Sequence, residues 1–262
     1  MLRTMTGILL VLASLQVHAT VVGREVSYQA GDTTLKGYLA YDDAVTGKRP
    51  GILVVHEWWG HNAYARKRAD MLAALGYTAL AVDMYGAGRT ADHPEDAGKF
   101  AGSVRSNLHL MKARFLAALV YLQQQPGVDP EKTAAIGYCF GGGVVLEMAR
   151  QGVDLDAVAS FHGSLGGDST PEPGSIRARI LVANGAADPF VTAEQIAAFK
   201  AEMDAAGAHY TFINYPGARH SFTNPEADRF GERFDLPLAY DAGADAASWE
   251  AMQELFDTVF KE

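Results

Sequence analysis

A single cysteine stands in a glycine-rich segment directly after an apolar run. Residues 137–143 read GYCFGGG, the pattern glycine, any residue, nucleophile, any residue, glycine around Cys139. In this pattern a tight strand-to-helix turn holds the nucleophile in strained backbone geometry, and a Cβ at either glycine would collide with the turn. The N-terminus of the helix that follows favours a thiolate through its dipole and free amides. The segment therefore predicts that Cys139 is a nucleophile, with a buried, inert cysteine as the alternative.

A cysteine nucleophile needs a base and a carboxylate that orients the base. Two candidates follow predicted strands: Asp188 comes after residues 179–184, and His220 comes after residues 210–215. The chain order of nucleophile, acid and histidine is that of a known hydrolase arrangement. Because the carboxyl ends of parallel strands share one edge of a sheet, we expect the three side chains to meet there. His162 also ends a predicted strand, but it precedes Asp188, so we expect it to line the pocket instead.

Acyl transfer also needs hydrogen-bond donors for the oxyanion. In this architecture one backbone amide comes from the residue after the nucleophile, and the other comes from an early strand-to-helix loop. Phe140 would supply the first amide. Trp58, in the segment HEWWGH at residues 56–61, would supply the second, with Glu57 beside it. Each such donor lowers the barrier by roughly 3 kcal/mol.

Two segments imitate cofactor motifs without fitting them. The histidines of HEWWGH are five positions apart, whereas the zinc-protease motif places them four apart on one face of a helix. Residues 86–91, GAGRTA, match the dinucleotide fingerprint in their small-residue spacing. However, no amphipathic helix begins there, and no acidic residue stands about 20 positions further on. We therefore expect no metal and no organic cofactor.

The amino-acid composition limits the classes of partner that the protein is expected to bind. The 262 residues include 22 Lys or Arg and 31 Asp or Glu, which gives a net charge of −9. Nucleic acid requires a basic patch, so we expect a small-molecule substrate instead, and the oligomeric state stays open. The longest basic cluster, residues 66–68, is predicted to be the solvated face of a helix. The single cysteine excludes an intramolecular disulfide and a multi-cysteine metal site.

The first nineteen residues have the pattern of a secretory signal peptide. Arg3 is positive, residues 7–15 are apolar, and residues 17–19, VHA, form a small-residue cleavage site. The apolar run is too short to span a bilayer, which takes about 20 residues. We therefore expect cleavage after Ala19 and export to the periplasm or beyond the cell. Residues 20–262 are expected to form a single domain.

The remaining sequence alternates short β-type runs with helical ones. Residues 25–29 and 34–40 alternate around the turn at 31–32 and predict a hairpin. Continuous apolar runs, typical of strands buried on both faces, cover 51–56, 78–83, 133–138, 157–162, 179–184 and 210–215. Apolar residues at helical spacing predict helices at 64–75 and 106–123, in a stretch capped by Thr192, and at the C-terminus. Residues 87–103 and 225–245 lack such periodicity, and we expect both to form walls of the pocket. The second is expected to be an irregular loop. The alternation predicts an α/β fold with a doubly wound, mostly parallel sheet of about eight strands flanked by helices.

These residues resemble the dienelactone hydrolases, a family of cysteine-using α/β-hydrolases. The resemblance lies in HEWWG at 56–60, DMY at 83–85, GYCFGG at 137–142, ADP at 187–189 and HSF at 220–222. It implies an α/β-hydrolase fold, a Cys139–His220–Asp188 triad and a lactone or ester substrate. It also implies that Glu57 pairs with the thiol in the resting enzyme and opposes thiolate formation through like-charge repulsion.

One position departs from the family pattern. Members that cleave dienelactone carry an arginine two positions after the phenylalanine of HSF, where it holds the substrate carboxylate, and this chain has Asn224 there. We expect Asn224 to line the pocket. The departure argues against dienelactone itself as the substrate and leaves the acyl-transfer chemistry intact. Arg89, Arg105 and Arg219 are candidates to replace the missing cation.

Together these features predict an exported hydrolase that cleaves a small ester or lactone through a thioester acyl-enzyme. Candidates for an apolar pocket lining, with core packing as the alternative, are Trp58, Trp59, Tyr85, Phe140 and His162. Another acyl-transfer enzyme, such as a thioesterase or amidase, is the competing activity. A non-catalytic ligand-binding or thiol-sensing protein on the same fold is the alternative from a different class.

Overall fold

The computed structural model describes residues 20–261, and the predicted signal peptide at residues 1–19 lies outside them. Within this range the strands form one eight-stranded sheet in the spatial order β1-β2-β4-β3-β5-β6-β7-β8. In chain order the strands are β1 (Val21–Ala30), β2 (Thr33–Asp42), β3 (Arg49–Val55), β4 (Thr78–Ala81), β5 (Val128–Tyr138), β6 (Ala157–Phe161), β7 (Arg179–Gly185) and β8 (Tyr210–Tyr215).

The sheet is parallel except at one edge. β1 and β2 form an antiparallel hairpin, and β2 runs antiparallel to β4. From β4 through β3, β5, β6 and β7 to β8, every neighbouring pair is parallel. The predicted hairpin and the mostly parallel sheet of about eight strands are confirmed. The carboxyl ends of the parallel strands consequently share one edge.

Helices cover both faces of this sheet. They are α1 (Ala63–Ala74), α2 (Pro94–Arg105), α3 (Leu108–Gln123), α4 (Phe140–Arg150), α5 (Ala193–Ala205), α6 (Ala227–Phe234) and α7 (Ala242–Lys261). Neighbouring residues of a strand point to opposite faces, so Leu53 packs in the core that α3, α4 and α5 cover, and Ile52 packs in the core that α1 and α7 cover. Within residues 20–261, none of the helices combines the length and the apolarity that crossing a bilayer requires.

The first segment without periodicity contains α2, a helix that the sequence analysis did not predict. The helix begins after His93, whose ring accepts a hydrogen bond from the amide of Glu95. Its buried residues are Ala97, Ala101 and Val104. A stripe made of alanine and one valine gives only a weak hydropathy signal, because alanine also occurs on exposed helix faces.

The second such segment contains α6, so the expectation of an irregular loop is wrong for residues 227–234. This helix buries only Ala227 and Gly231. Phe230 and Phe234, one turn apart on this helix, also stack on Trp59. A helix of only eight residues depends on such tertiary contacts for its stability.

Arg68 is buried, and the prediction of a solvated face at residues 66–68 is wrong at this position. Only 3% of Arg68 is exposed, whereas Lys67 is exposed. The Arg68 guanidinium donates to Oδ1 of Asp245 at 2.5 Å and to the carbonyl oxygen of Thr223 at 2.6 Å. A buried charge requires such partners, and these two are supplied by segments more than 150 positions away in the sequence.

Candidate active site

Cys139 lies in the tight turn between β5 and α4. Its backbone has φ 53° and ψ −112°, a combination that residues with a side chain rarely adopt. The turn depends on two glycines. A Cβ on Gly137 would lie 2.1 Å from the carbonyl oxygen of Gly141, and a Cβ on Gly141 would lie 2.3 Å from that of Val55. The cysteine side chain is partly exposed at the carboxyl edge of the sheet.

Backbone amides tie this turn to the neighbouring strands. The amide of Cys139 donates both to the carbonyl oxygen of Phe161 at 3.0 Å and to Nδ1 of His162 at 3.1 Å. The amide of Gly141 donates to the carbonyl oxygen of His56 at 3.1 Å. The ends of β3, β5 and β6 are therefore held together around the cysteine.

Asp188 and His220 meet across the ends of β7 and β8. Nδ1 of His220 lies 2.8 Å from Oδ2 of Asp188, while Oδ1 of Asp188 accepts the amide of Phe190 at 2.8 Å. Burial alone would lower the pKa of His220, but the charge of Cys139 and hydrogen bonds to Asp188 and Cys139 raise this pKa to about 10. The half-exposed ring of Phe190 packs edge-on against His220, with centroids 5.0 Å apart. The imidazole is thus screened from water and interacts with both the carboxylate and the cysteine.

Glu57 is buried near His220, and its hydrogen bonds go to the loop that follows this histidine. Oγ of Ser221 donates to Oε1 at 2.9 Å, and Nδ2 of Asn224 donates to Oε2 at 2.7 Å. Burial raises the pKa of Glu57, while these two hydrogen bonds and the charge of His220 oppose the rise. In the structure the amide at position 224 and the hydroxyl at position 221 hold this carboxylate. The pairing of Glu57 with the thiol that the resemblance implies stays a prediction.

His162 is fully buried beneath the site instead of lining a pocket. Its Nδ1 accepts the amide of Cys139, and its Nε2 lies 2.7 Å from Oγ1 of Thr223. Burial, and then the charges of His220 and Arg68, lower the pKa of His162 well below its ordinary value. The ring is therefore neutral, and both of its nitrogens are occupied by protein groups.

Tyr85 and Trp59 are both buried, and Tyr85 lies near the cysteine. The hydroxyl of Tyr85 donates to the carbonyl oxygen of Trp58 at 2.9 Å. Burial and the charge of Cys139 both raise the pKa of Tyr85. Trp59 is 2% exposed and stacks on Phe230, with ring centroids 4.5 Å apart. Core packing, the alternative for these aromatic residues, describes Trp59 and also Tyr85, which is 1% exposed.

The loop HEWWGH is held by protein contacts. Nε2 of His56 accepts the amide of Met84 at 3.3 Å, and Nδ1 lies 2.5 Å from the carbonyl oxygen of Glu57. Burial lowers the pKa of His56 to about 4, so the ring is neutral. In the part of the chain that the structure describes, no three His, Cys, Asp or Glu side chains are grouped as metal ligands.

A pocket of about 420 Å³ opens beside the first turn of α4. Its lining includes Arg105, Leu108, Met111, Phe140, Val144 and Glu147. The guanidinium carbon of Arg105 lies 5.5 Å from the ring centroid of Phe140, and the charge of Arg105 lowers the raised pKa of Tyr85. The pocket thus has apolar walls, two carboxylates, Glu147 and Asp168, and one exposed cation, Arg105, beside Phe140.

The other candidate cations differ from Arg105 in their contacts. The guanidinium of Arg89 donates to the carbonyl oxygens of Tyr85 and Gly86, so it fixes the loop after β4. Arg219 is exposed on the loop before His220. Arg105 has no hydrogen-bonding or ion-pair partner of its own among residues 20–261. Arg219 likewise has no such partner among these residues, but of the two only Arg105 lines the pocket beside α4.

Sequence reasoning gave no role to three residues of the site. Ser221 belongs to the motif HSF but was assigned no contact, and Thr223 and Phe190 were not singled out at all. The signal available for Thr223 was its position beside Asn224, directly after the motif. Their partners, Glu57, His162 and His220, come from other strands, so only the tertiary structure reveals the contacts.

The profile that describes the dienelactone hydrolase family matches residues 35–260. A solved structure named m3DLH is 41% identical, with a TM-score of 0.85, over 91% of this chain and 98% of that one. A dienelactone hydrolase-like promiscuous phosphotriesterase from metagenomic libraries is 37% identical, with a TM-score of 0.84, over 92% of this chain and 99% of that one. A protein of Synechocystis sp., provisionally named a carboxymethylenebutenolidase, is 29% identical over 87% of this chain and 93% of its own. The range that the family profile matches, residues 35–260, spans the whole site.

Proposed function

We propose, from the premise that this chain belongs to the dienelactone hydrolase family, that it cleaves a small carboxylic ester or lactone by acyl transfer to Cys139. Hydrolysis of esters or lactones is the activity of the family. The finer assignment, a Cys139–His220–Asp188 triad, is supported by one observation above all. A buried imidazole bonded to Asp188 is also hydrogen-bonded to the cysteine of a strained strand-to-helix turn.

The reaction proceeds in two acyl transfers. The Cys139 thiolate attacks the carbonyl carbon, a carbon–sulfur bond forms, and the carbonyl electron pair moves onto oxygen. Collapse of this intermediate breaks the carbon–oxygen bond, and the His220 imidazolium gives its proton to the departing alkoxide. Water then attacks the thioester while His220 accepts a proton from it. The carboxylic acid product leaves, and the thiolate and imidazolium are regenerated.

His220, and not His162, is assigned as the base. Nδ1 of His220 is bonded to Asp188, which leaves Nε2 for the sulfur and the substrate. Asp188 holds the ring in this tautomer and offsets its positive charge. Both nitrogens of His162 are occupied by Cys139 and Thr223, and its lowered pKa keeps it neutral.

The oxyanion is assigned to the amides of Phe140 and Trp58. Phe140 is the first residue of α4, where backbone amides lack partners within the helix. The loop that contains Trp58 is tied to this helix through Gly141 and His56, and to the cysteine environment through Tyr85. Two amides from these loops fit the arrangement by which α/β-hydrolases stabilise the tetrahedral intermediate.

Glu57 is assigned an electrostatic role in this scheme. Its carboxylate anchors the loop of His220 through Ser221 and Asn224, and it carries a negative charge near the imidazolium. With its oxygens held by these donors, Glu57 supports the protonated form of His220. We therefore propose that Glu57 acts on the reaction through His220.

The pocket beside α4 is assigned to a substrate that carries a negative charge. Leu108, Met111 and Val144 provide apolar walls, and Arg105 provides an unpaired cation near the cysteine. An ester or lactone with a carboxylate a few bonds from the reacting carbonyl would place this group at the guanidinium.

Replacement of the nucleophile tests the assignment. We expect Cys139→Ala to reduce the turnover of p-nitrophenyl acetate to the buffer rate, because no other group can form the acyl-enzyme. Cys139→Ser is expected to keep less than about one hundredth of the wild-type kcat, since an alkoxide is far harder to form than a thiolate. Full turnover by Cys139→Ala would refute the triad. A stoichiometric burst of p-nitrophenol without turnover in the wild type would favour the thiol-sensing alternative.

A further inference from the structure

A chain of buried hydrogen bonds runs from the cysteine into the core between the sheet and α1. The amide of Cys139 donates to Nδ1 of His162, and Nε2 of His162 lies 2.7 Å from Oγ1 of Thr223. Oγ1 of Thr223 lies 2.6 Å from the hydroxyl of Tyr64, which accepts a hydrogen bond from Nε of Arg68 at 3.2 Å. All of these side chains are buried.

The hydrogen bonds fix the tautomer of His162. Because Nδ1 accepts the amide of Cys139, it carries no proton, and the neutral ring must carry its proton on Nε2. Nε2 therefore donates to Thr223, and the hydroxyl of Thr223 is the acceptor that selects this tautomer. The opposite tautomer would place a proton on Nδ1, facing the amide hydrogen of Cys139, and the contact would become repulsive.

The far end of the chain is anchored by a charge. Arg68 donates to the backbone carbonyl of Thr223 and to Asp245 of α7, and its guanidinium lies 5.2 Å from the ring centroid of Tyr64. These contacts hold Thr223 through both its backbone and its hydroxyl partner. A loop residue without such contacts would move on the nanosecond timescale, and the tautomer of His162 would not be fixed.

We propose that Tyr64, Thr223 and His162 form a positioning chain that holds the strained backbone of Cys139 in its catalytic geometry. The proposal rests on the proposed function of Cys139 as the nucleophile. None of the three residues reaches the substrate. They act through the cysteine amide, which shares its hydrogen between Phe161 and His162. Contacts with the surrounding structure hold the backbone of the cysteine at φ 53°. His162 is one of the two groups that accept a hydrogen bond from its amide.

The neutral state of His162 also serves the neighbouring His220. The two rings lie edge to face with centroids 5.3 Å apart. A second positive charge at this distance would oppose the imidazolium of His220. The amide of Cys139, which donates to Nδ1, opposes protonation there and so keeps His162 in the neutral form that this arrangement requires, while Thr223 accepts from Nε2.

Two substitutions of one residue separate positioning from packing. Thr223→Val keeps the side-chain volume and removes the hydroxyl, whereas Thr223→Ser keeps the hydroxyl and removes a methyl group. We expect Thr223→Val to lower kcat for p-nitrophenyl acetate by on the order of 10- to 100-fold, with KM within about twofold, as a small displacement of a reacting group does. Thr223→Ser is expected to keep kcat within about threefold of wild type. Alkylation of Cys139 by iodoacetamide should slow in the valine variant and not in the serine variant.

A larger loss of kcat in Thr223→Ser than in Thr223→Val would overturn the inference. A folded Thr223→Val with wild-type kcat, or a serine variant that loses as much kcat as the valine variant, would leave Thr223 a packing residue. Thermal unfolding establishes that each variant is folded. If Thr223→Val does not fold, Tyr64→Phe decides the question: we expect kcat to fall at least threefold at unchanged KM, and wild-type kcat would overturn the inference. Failure of the proposed function would be observed in a different variant, because Cys139→Ala would then still turn over the ester.

Discussion

Asn224 determines where the carboxylate of Glu57 lies. Its amide donates to Oε2, and Ser221 donates to Oε1, so the loop that follows His220 holds both oxygens. An arginine at position 224, the residue expected from the family pattern, would bring a positive charge to this carboxylate and to the substrate. In its absence, Arg105 is the exposed cation on the cysteine side of the pocket. The neutral amide of Asn224 and the positive charge of Arg105 on α2 together favour a substrate whose negative charge lies near α2.

Removal of the Arg105 charge should affect anionic substrates selectively. We expect Arg105→Met to raise KM for p-nitrophenyl hemisuccinate by about three- to tenfold, the effect of one charge-assisted hydrogen bond reduced by solvent exposure. The uncharged p-nitrophenyl butyrate has a similar length, and its KM should change less than about twofold. Lys99→Met, which removes an exposed cation of the same helix, is the matched control. Equal KM changes for the two esters would exclude Arg105 as the anion ligand.

The strand-to-helix turn is the element that positions Cys139 for its proposed role as the nucleophile. Gly137 and Gly141 allow the turn to pass within contact distance of β3, and α4 begins at the next residue after the cysteine. The turn also sets the direction of the Phe140 amide. Backbone strain is therefore concentrated at the site where the chemistry needs a fixed geometry.

A methyl group at Gly137 should disrupt this element. Its Cβ would lie 2.1 Å from the carbonyl oxygen of Gly141, which is backbone and cannot rotate away. We expect Gly137→Ala to lower the free energy of unfolding by about 3 kcal/mol in urea titrations and to abolish ester turnover. Gly98→Ala is the control, because it lies in α2 with no atom within 4 Å of the added Cβ. This control should gain about 0.5 kcal/mol and keep its activity.

Buried neutral histidines couple the stability of the whole molecule to pH. Burial lowers the pKa of His56 to about 4 and that of His61 to about 3, and it also lowers the pKa of His162 well below its ordinary value. In the unfolded chain these residues titrate near pH 6.5. Between pH 6.5 and about 4 the unfolded state therefore binds protons that the folded state excludes. His220, whose pKa is raised, acts in the opposite direction above pH 6.5.

Stability should consequently fall as the pH is lowered from 6.5 to 4. Each buried histidine is expected to contribute about 1.4 kcal/mol per pH unit to this loss. Removal of one such group in His61→Gln should reduce the slope of unfolding free energy against pH by about that amount. His109→Gln, at an exposed position of α3, should leave the slope unchanged. A wild-type slope in His61→Gln would show that this ring is protonated in the folded state.

Hydropathy periodicity did not predict the helices and the buried residue whose positions depend on tertiary contacts. The elements with long apolar runs, such as β3 and β5, were predicted close to their observed positions, because strands buried on both faces carry continuous apolar sequence. α2 and α6 were missed, since the residues that they bury fully are alanine, glycine and one valine. Their phenylalanines pack on aromatic residues outside the helix, as Phe230 does on Trp59. Arg68 was assigned to the surface, because its partners Asp245 and Thr223 are remote in the sequence.

The sequence by itself determined the fold class, the strained turn around Cys139 and the candidates Asp188 and His220. Each of these depends on local patterns: hydropathy period, glycine spacing and the ends of strands. Only the tertiary structure decided that Glu57 pairs with Ser221 and Asn224, that His162 holds the cysteine amide, and that Arg105 faces the pocket. The physical reason is that these contacts join side chains from different strands and helices. Their partners follow from how the elements pack, which no single stretch of sequence encodes.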